Sequence, residues 1–180
     1  HRIRLAISNA QWPMLWPTPM PMASTVAIGG ENGARIVLPI VPPGEEPAPK
    51  FSNPVPDPTL PGYETLDSGN ISGYAAITSI EHDFETGEAF GVATNSGATR
   101  YPWGIERFEE EIEHRTSDVN PAYTSVVGRY KLTEELKNRL LEFEQTVEFT
   151  SDEDNFTLKF RRWVLVNGEM FAEKTWEEVI

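Results

Sequence analysis

Residues 156–176 read FTLKFRRWVLVNGEMFAEKTW, and this stretch decides the fold class of the chain. Phe156 to Val166 is rich in aromatic and β-branched residues, which favour strands. Asn167-Gly168 is a dipeptide that two-residue hairpin turns prefer, because both central residues of such a turn have positive φ. Glu169 to Trp176 then returns as the partner strand. The stretch therefore predicts a β-hairpin.

The two-residue period of strands recurs upstream. Arg2 to Ser8 alternates between apolar and polar residues. Two further hairpins are predicted around glycine-containing turns, one pairing Thr25–Ile28 with Arg35–Ile40 and the other pairing Tyr74–Glu81 with Glu88–Thr94. Most periodic segments of the chain are thus strand-like.

One segment supports two interpretations. Thr133 to Glu144 has helical propensity, with Thr133 as a candidate cap. However, Leu141, Phe143, Val147 and Phe149 share one face at a period of two. We therefore predict a turn near residues 137–138 and a strand over residues 139–150.

The predicted fold is an all-β, jelly-roll-like sandwich with long proline-rich loops. The chain contains 15 prolines, of which 13 lie in the first 61 residues. Because proline lacks an N–H donor and has a fixed φ, residues 42–62 are predicted to be an extended connector. The expected organisation of this single domain is first strands with a Trp/Pro loop in residues 1–41, the connector, and an acidic antiparallel region in residues 63–180.

The charge of the chain excludes several partners. Lys and Arg number 15 against 28 Asp and Glu, giving a net charge of −13, all of it carried by residues 63–180. We expect neither nucleic acid nor a membrane surface as a partner, because both require a basic surface. The absence of cysteine excludes thiolate chemistry, and it fits both the cytoplasm, which we favour, and an exterior compartment.

No catalytic, metal or cofactor site is predicted. The closest string to a G-x-S-x-G nucleophile elbow is residues 69–73, which is one residue too long, so Ser72 is interpreted as a loop serine. His82 and Asp83 are neighbours and should point to opposite faces of a strand. Solvated acidic surface is a better interpretation than calcium binding for two clusters, residues 109–113 and residues 152–154.

The most unusual feature is a tryptophan–proline string, WPMLWPTPMPM, over residues 12–22. Leaving its large apolar side chains in water would be costly. The string is interpreted as a loop folded over the end of the sandwich, as a docking surface for another domain, or as a platform that stacks on sugar rings. The candidate contact residues are Trp12, Pro13, Trp16 and Pro17.

Two stretches together resemble the C-terminal β domain of the X-Pro dipeptidyl-peptidase family, and more closely its cocaine-esterase-like (CocE/NonD) branch. The first is HRIRLAIS at residues 1–8, followed by Trp12-Pro13, by WPTP at residues 16–19 and by Leu38-Pro39. The second is Thr150-Ser151-Asp152, followed by Phe156 and by Asn167, Gly168, Phe171 and Trp176.

The resemblance implies a role and a partner. Family members are serine hydrolases of peptides, esters or amides whose Ser-His-Asp triad lies in an upstream α/β-hydrolase domain. Their C-terminal part is a galactose-binding-like jelly roll that packs on the catalytic domain and helps to shape its cleft. The chain would then be non-catalytic, and its partner would be the α/β-hydrolase domain of the same parent chain. The alternative is a carbohydrate-binding jelly-roll module.

The resemblance also implies an incomplete sandwich. In the family the sandwich begins before the HRIRL strand, and the ending near Trp176 continues into a Pro-Arg pair that this sequence lacks. A sandwich without some of its strands has unpaired edges, which pair readily with other chains. We therefore predict self-association through open strand edges.

Overall fold

The computed structural model describes residues 3–8, 11–20, 22–39, 49–55, 58, 60–69 and 77–180. Within these residues the chain is all-β and has no helix, which confirms the predicted fold class. None of the described segments is therefore a helix that could cross a bilayer. The strands are β1 Glu64–Asp67, β2 Ile77–Asp83, β3 Glu88–Tyr101, β4 Gly104–Ser117, β5 Ser125–Leu136, β6 Arg139–Ser151, β7 Phe156–Val166 and β8 Glu169–Val179.

The strands form one open, eight-stranded antiparallel sheet. From β3 to β8 each strand pairs with the next along the chain. β1 and β2 both pair with β3, opposite residues 98–100 and 88–93 respectively. An open antiparallel sheet of this kind is consistent with a jelly-roll-like sandwich.

The predicted hairpins are confirmed over residues 77–180, and residues 74–76 of the strand predicted over Tyr74–Glu81 lie outside the described part of the chain. Asn167 and Gly168 have φ values of 54° and 82°, as the turn between β7 and β8 requires. Residues 137 and 138 form the turn between β5 and β6, so the helical interpretation of that segment is wrong. Asn167 also joins this end of the sheet to β6, because its Oδ1 accepts a hydrogen bond of 2.8 Å from the N–H of Leu140.

The strands predicted in residues 1–41 are not formed in the described part of that region. Ile3–Ser8 has no regular secondary structure, and residues 22–39 contain one isolated bridge between Ile28 and Ala34. An alternating segment becomes a strand only where a second strand pairs with it along its length, and the ladder of β1 to β8 does not include these described residues. Residues 1, 2, 9, 10, 21 and 40–48 lie outside the described part of the chain.

The chain divides into two compact units. One consists of His1–Met22 and Leu60–Ile180, and contains the whole sheet; the other is Ala23–Thr59. The described residues of the proline-rich connector, which are residues 49–55, 58 and 60–62, contain neither helix nor strand. This agrees with the missing N–H donors of proline.

The two faces of the sheet differ in chemistry, because side chains alternate along every strand. The register places most large hydrophobic side chains of β4 to β8 on one side, which we call the apolar face. Its members are Phe108, Ile112, Val126, Leu132, Leu141, Phe143, Val147, Phe149, Leu158, Phe160, Val164 and Trp176. The opposite side is the charged face, with Arg107, Glu109, Glu111, Glu113, Arg129, Lys131, Glu142, Glu144, Glu148, Lys159, Arg161 and Glu173.

Within the unit that contains the sheet, the described residues leave the apolar face largely uncovered. Ala93 and Ala122 are the fully buried hydrophobic residues there, whereas the large side chains of the apolar face remain partly accessible. An amphipathic sheet normally buries its apolar face against a second layer. Within the unit that contains the sheet, the described residues supply such cover at one end only.

Candidate functional site

The tryptophan–proline segment, residues 11–20, covers the apolar face at the end of the sheet where β6 ends and β7 begins. The ring of Trp16 packs edge-on against Phe149 and Phe156, with centroid distances of 4.8 Å and 5.9 Å. Trp12, Pro13, Trp16 and Pro17 are all half-buried. Of the four candidate contact residues, Trp16 therefore packs where β6 ends and β7 begins.

Ser151, at the end of β6, connects this segment to the sheet. Its Oγ accepts a hydrogen bond of 3.0 Å from Trp16 Nε1 and donates one to the carbonyl oxygen of Ala122. The backbone N–H of Thr124 also donates to the same Oγ, at 3.4 Å. The Ser151 hydroxyl of β6 thus forms hydrogen bonds with both the tryptophan–proline segment and the β4–β5 loop.

Trp12 lies over a buried histidine of β4. Its ring is edge-on to the ring of His114, with 5.8 Å between centroids. His114 is 8% exposed, its cross-strand neighbours are Gly91 and Val126, and both of its ring nitrogens lack a hydrogen-bond partner. Burial lowers the pKa of His114, so the ring is held in its neutral form.

The other described histidine has a structural partner. His82 Nε2 lies 3.0 Å from Asp118 Oδ2. Asp83 accepts hydrogen bonds from the backbone N–H groups of Glu85 and Thr86, which lower the pKa of its carboxyl group. His82 and Asp83 thus serve different contacts, as the sequence predicted. Ser72 and His1 lie outside the described residues.

The acidic clusters are distributed over both faces and a turn. On the charged face, Glu111 and Glu113 pair with Arg129 at 2.9 Å and 2.8 Å, and their hydrogen bonds raise the pKa of Arg129. Asp152 accepts backbone hydrogen bonds from residues 154 and 155, which lower its pKa. Among the described residues, no group of three or more histidine, aspartate or glutamate side chains could hold a metal ion.

A groove of about 600 Å³ lies on the charged face across β3 to β7. Its lining includes Thr94, Ser96, Glu109, Arg129, Lys131 and Trp163. Lys131 is held by Glu142 and Glu144 at 3.0 Å and 3.2 Å. The guanidinium group of Arg161 lies 4.8 Å from the ring centroid of Trp163. The groove therefore combines ion-paired charged side chains with two aromatic residues, Tyr130 and Trp163.

Sequence reasoning did not single out this groove or the Ser151 hydroxyl. The sequence pattern that could have indicated a charged face is the alternation along β4. Phe108, Ile112 and His114 alternate with glutamates at residues 109, 111 and 113, so the two sides of β4 differ in polarity. Comparisons of the chain with models of protein families, with curated proteins and with solved structures found no significant match.

Proposed function

We propose that the chain is a non-catalytic β domain of a serine hydrolase resembling the X-Pro dipeptidyl-peptidase and cocaine-esterase-like family. In this role it packs on an upstream α/β-hydrolase domain and helps to shape the catalytic cleft. The observation that supports this proposal is the apolar face, which no second layer covers among the described residues of the unit that contains the sheet. Burying one large aliphatic or aromatic side chain contributes about 1.5–3 kcal/mol, so a partner that covers this face gains substantially.

A second observation links the two family-like motifs. Trp16 belongs to the WPTP string and Ser151 to the Thr-Ser-Asp string, and these two residues share the 3.0 Å hydrogen bond. They are 135 positions apart in the chain. Residues that resemble one family in two distant stretches therefore serve one structural feature, which is what a shared fold would require.

The chemistry of the proposed enzyme takes place in the upstream domain. There a serine attacks the substrate carbonyl, a histidine accepts the serine proton, and an oxyanion hole stabilises the developing negative charge. The role of this chain is to hold and shape that domain. On its own, we expect it to release nitrophenol from nitrophenyl esters no faster than buffer.

A matched pair of lysine variants tests the docking face. Val164 and Leu165 are adjacent, half-buried residues of β7, with Val164 on the apolar face and Leu165 on the charged face opposite Glu142. The chain would be mixed with the separately produced upstream domain and analysed by size-exclusion chromatography. Val164→Lys should abolish co-elution, whereas Leu165→Lys should retain it.

Two results would count against the proposal. Equal co-elution of both variants would show that the apolar face is not the contact. If the encoding reading frame had no G-x-S-x-G nucleophile elbow upstream of residue 1, the proposal that the chain belongs to a serine hydrolase would be wrong. Circular dichroism of each variant separates a lost contact from a lost fold.

The second candidate function is binding of an oligosaccharide, and the groove is the observation that favours it. Its volume lies within the range of small-ligand sites, and it combines hydrogen-bonding side chains with Trp163. Trp16 is less suited to stacking on a sugar, because its ring packs on Phe149 and its N–H is bonded to Ser151. Glycan-array binding that is lost in Trp163→Ala and kept in Trp103→Ala would support this function, because Trp103 is 61% exposed and does not line the groove.

A further inference from the structure

We propose that two copies of this chain associate through β8, in an antiparallel register centred on Trp176. β8 pairs with β7 along one edge, and no other described strand lies along its second edge. All 11 of its residues are exposed. A long unpaired strand presents backbone donors and acceptors to any other strand, and a second copy always supplies one.

The backbone pattern identifies the groups on the free edge. Ile180 and Phe156 exchange two hydrogen bonds of 2.9 Å, so the N–H and C=O groups of Ile180 point toward β7. Because these groups alternate in direction along a strand, those of residues 173, 175, 177 and 179 point outward. The irregularity near residues 164–165 of β7 restricts the regular part of β8 to residues 172–179.

Charge and the length of paired strand select the register, because an axis through residue 172 or 179 would leave most of residues 172–179 unpaired. A twofold axis through residue 173, 174, 177 or 178 would place identical charges opposite each other, and an axis through Thr175 would place Glu173 opposite Glu177. An axis through Trp176 places Trp176 opposite its copy and Lys174 opposite Glu178 of the second copy. This register contains no directly opposed like charges.

Lys174, which this register places opposite Glu178 of the second copy, lacks an acidic partner among the described residues of its own copy. Lys174 lies opposite Arg162 on the apolar face, and neither forms an ion pair within the described part of the chain. The Lys174 ammonium group instead lies 4.7 Å from the ring centroid of Trp176. In the proposed dimer, Glu178 of the second copy neutralises this pair of cations. Trp176, which also stacks on Phe160 at 5.1 Å, becomes the centre of the interface.

Single-cysteine variants test the register directly, because the chain contains no cysteine. In the proposed register, only residue 176 faces its own copy, at a non-hydrogen-bonded pair with a Cα separation of about 4.5 Å, which suits a disulfide. Under mild oxidation Trp176→Cys should form a covalent dimer. Lys174→Cys and Glu178→Cys, on the same face, should form it at least about tenfold more slowly, since each faces a different residue. Equal cross-linking at all three positions, or faster cross-linking at 174 or 178, would overturn the register.

Proline and charge-swap variants keep the proposal testable without changing Trp176. Thr175→Pro removes an outward N–H and leaves the β7–β8 hydrogen bonds intact, so it should abolish association in analytical ultracentrifugation, whereas Thr175→Ala should not. Lys174→Glu should weaken association by about tenfold, and Lys174→Glu/Glu178→Lys should restore it. A wild-type chain that stays monomeric at about 100 μM, where a micromolar dimer would be populated, would refute the proposal.

Discussion

Ser151→Ala is the substitution for which the structure gives the clearest expected cost. The Ser151 hydroxyl accepts hydrogen bonds from Trp16 Nε1 at 3.0 Å and from the Thr124 N–H at 3.4 Å, and it donates to the Ala122 carbonyl oxygen. Thr124 and Ala122 are 2% and 1% exposed. In the variant Trp16 Nε1 loses this acceptor, whereas the Thr124 N–H and the Ala122 carbonyl oxygen keep a hydrogen bond of 3.2 Å to each other.

The magnitude follows from these three contacts. An unsatisfied buried donor or acceptor costs about 1–3 kcal/mol. The Trp16 indole is half-buried, so the lower end of that range, about 1 kcal/mol, applies to it, and the two other hydrogen bonds that the Ser151 hydroxyl makes contribute about 0.5 kcal/mol each. We expect Ser151→Ala to lower the free energy of unfolding by about 2 kcal/mol, and to loosen the tryptophan–proline segment from the apolar face.

The assay is urea unfolding followed by circular dichroism and by tryptophan fluorescence. Ser117→Ala is the matched control, because Ser117 Oγ accepts two exposed backbone bonds, from Val119 at 3.2 Å and Asn120 at 3.3 Å. Its loss should cost about 0.5 kcal/mol, the low end for a hydrogen bond. Trp16→Phe keeps an aromatic ring and removes the N–H that bonds to Ser151. Because that bond is already absent in Ser151→Ala, adding Trp16→Phe to that variant should lower the free energy of unfolding by about 1 kcal/mol less than adding it to the wild type. Equal effects of the two serine variants, or additive effects of Ser151→Ala and Trp16→Phe, would refute the reasoning.

Two further predictions concern β5 and the buried histidine. Val126→Lys, on the apolar face, should lower the free energy of urea unfolding by about 2 kcal/mol, whereas Val127→Lys, between Glu113 and Glu148 on the charged face, should change it by less than about 0.5 kcal/mol. The reverse order would contradict the assignment of faces. Burial lowers the pKa of His114 in the folded chain below its ordinary value of 6.5, so on acidification the unfolded chain binds a proton first. The free energy of unfolding should therefore decrease as the pH falls below about 6.5, and a slope that persists unchanged in His114→Leu would exclude this histidine as its source.

The elements that could be predicted from the sequence are those with a local cause. Asn167-Gly168 specifies its turn by dihedral angles alone, and the period of Leu141, Phe143 and Val147 outweighed the helical propensity of the preceding residues. Ile3–Ser8 has an equally clean period, yet the structure gives it no strand. Strand formation there depends on a neighbouring strand, which a periodic pattern in one segment cannot supply.

The candidate site was predictable only in part. Composition alone marked Trp12 and Trp16 as residues that should not remain in water, and the structure places both against the sheet. Ser151 was marked only as part of the family-like Thr150-Ser151-Asp152 string, because its hydrogen bonds arise from the approach of residues far away in the sequence. The groove depends on the register of several strands, and Trp163 becomes part of it only through the pairing of β6 with β7.

The two proposed interactions depend on different groups and can therefore fail separately: docking covers the side chains of the apolar face, whereas self-association uses the outward backbone groups of β8, and Trp176 is the apolar-face side chain at that edge. Edge pairing about an axis perpendicular to the sheet keeps the apolar faces of both copies on the same side, so a dimer still presents two faces for docking. Val164→Lys should thus abolish binding of the upstream domain and leave the Trp176→Cys cross-link unchanged. Thr175→Pro should abolish self-association and leave binding of the upstream domain unchanged. If one variant abolished both interactions while keeping its circular-dichroism spectrum, the edge and the face would have to form a single surface, and the separation of roles argued from the register would be wrong.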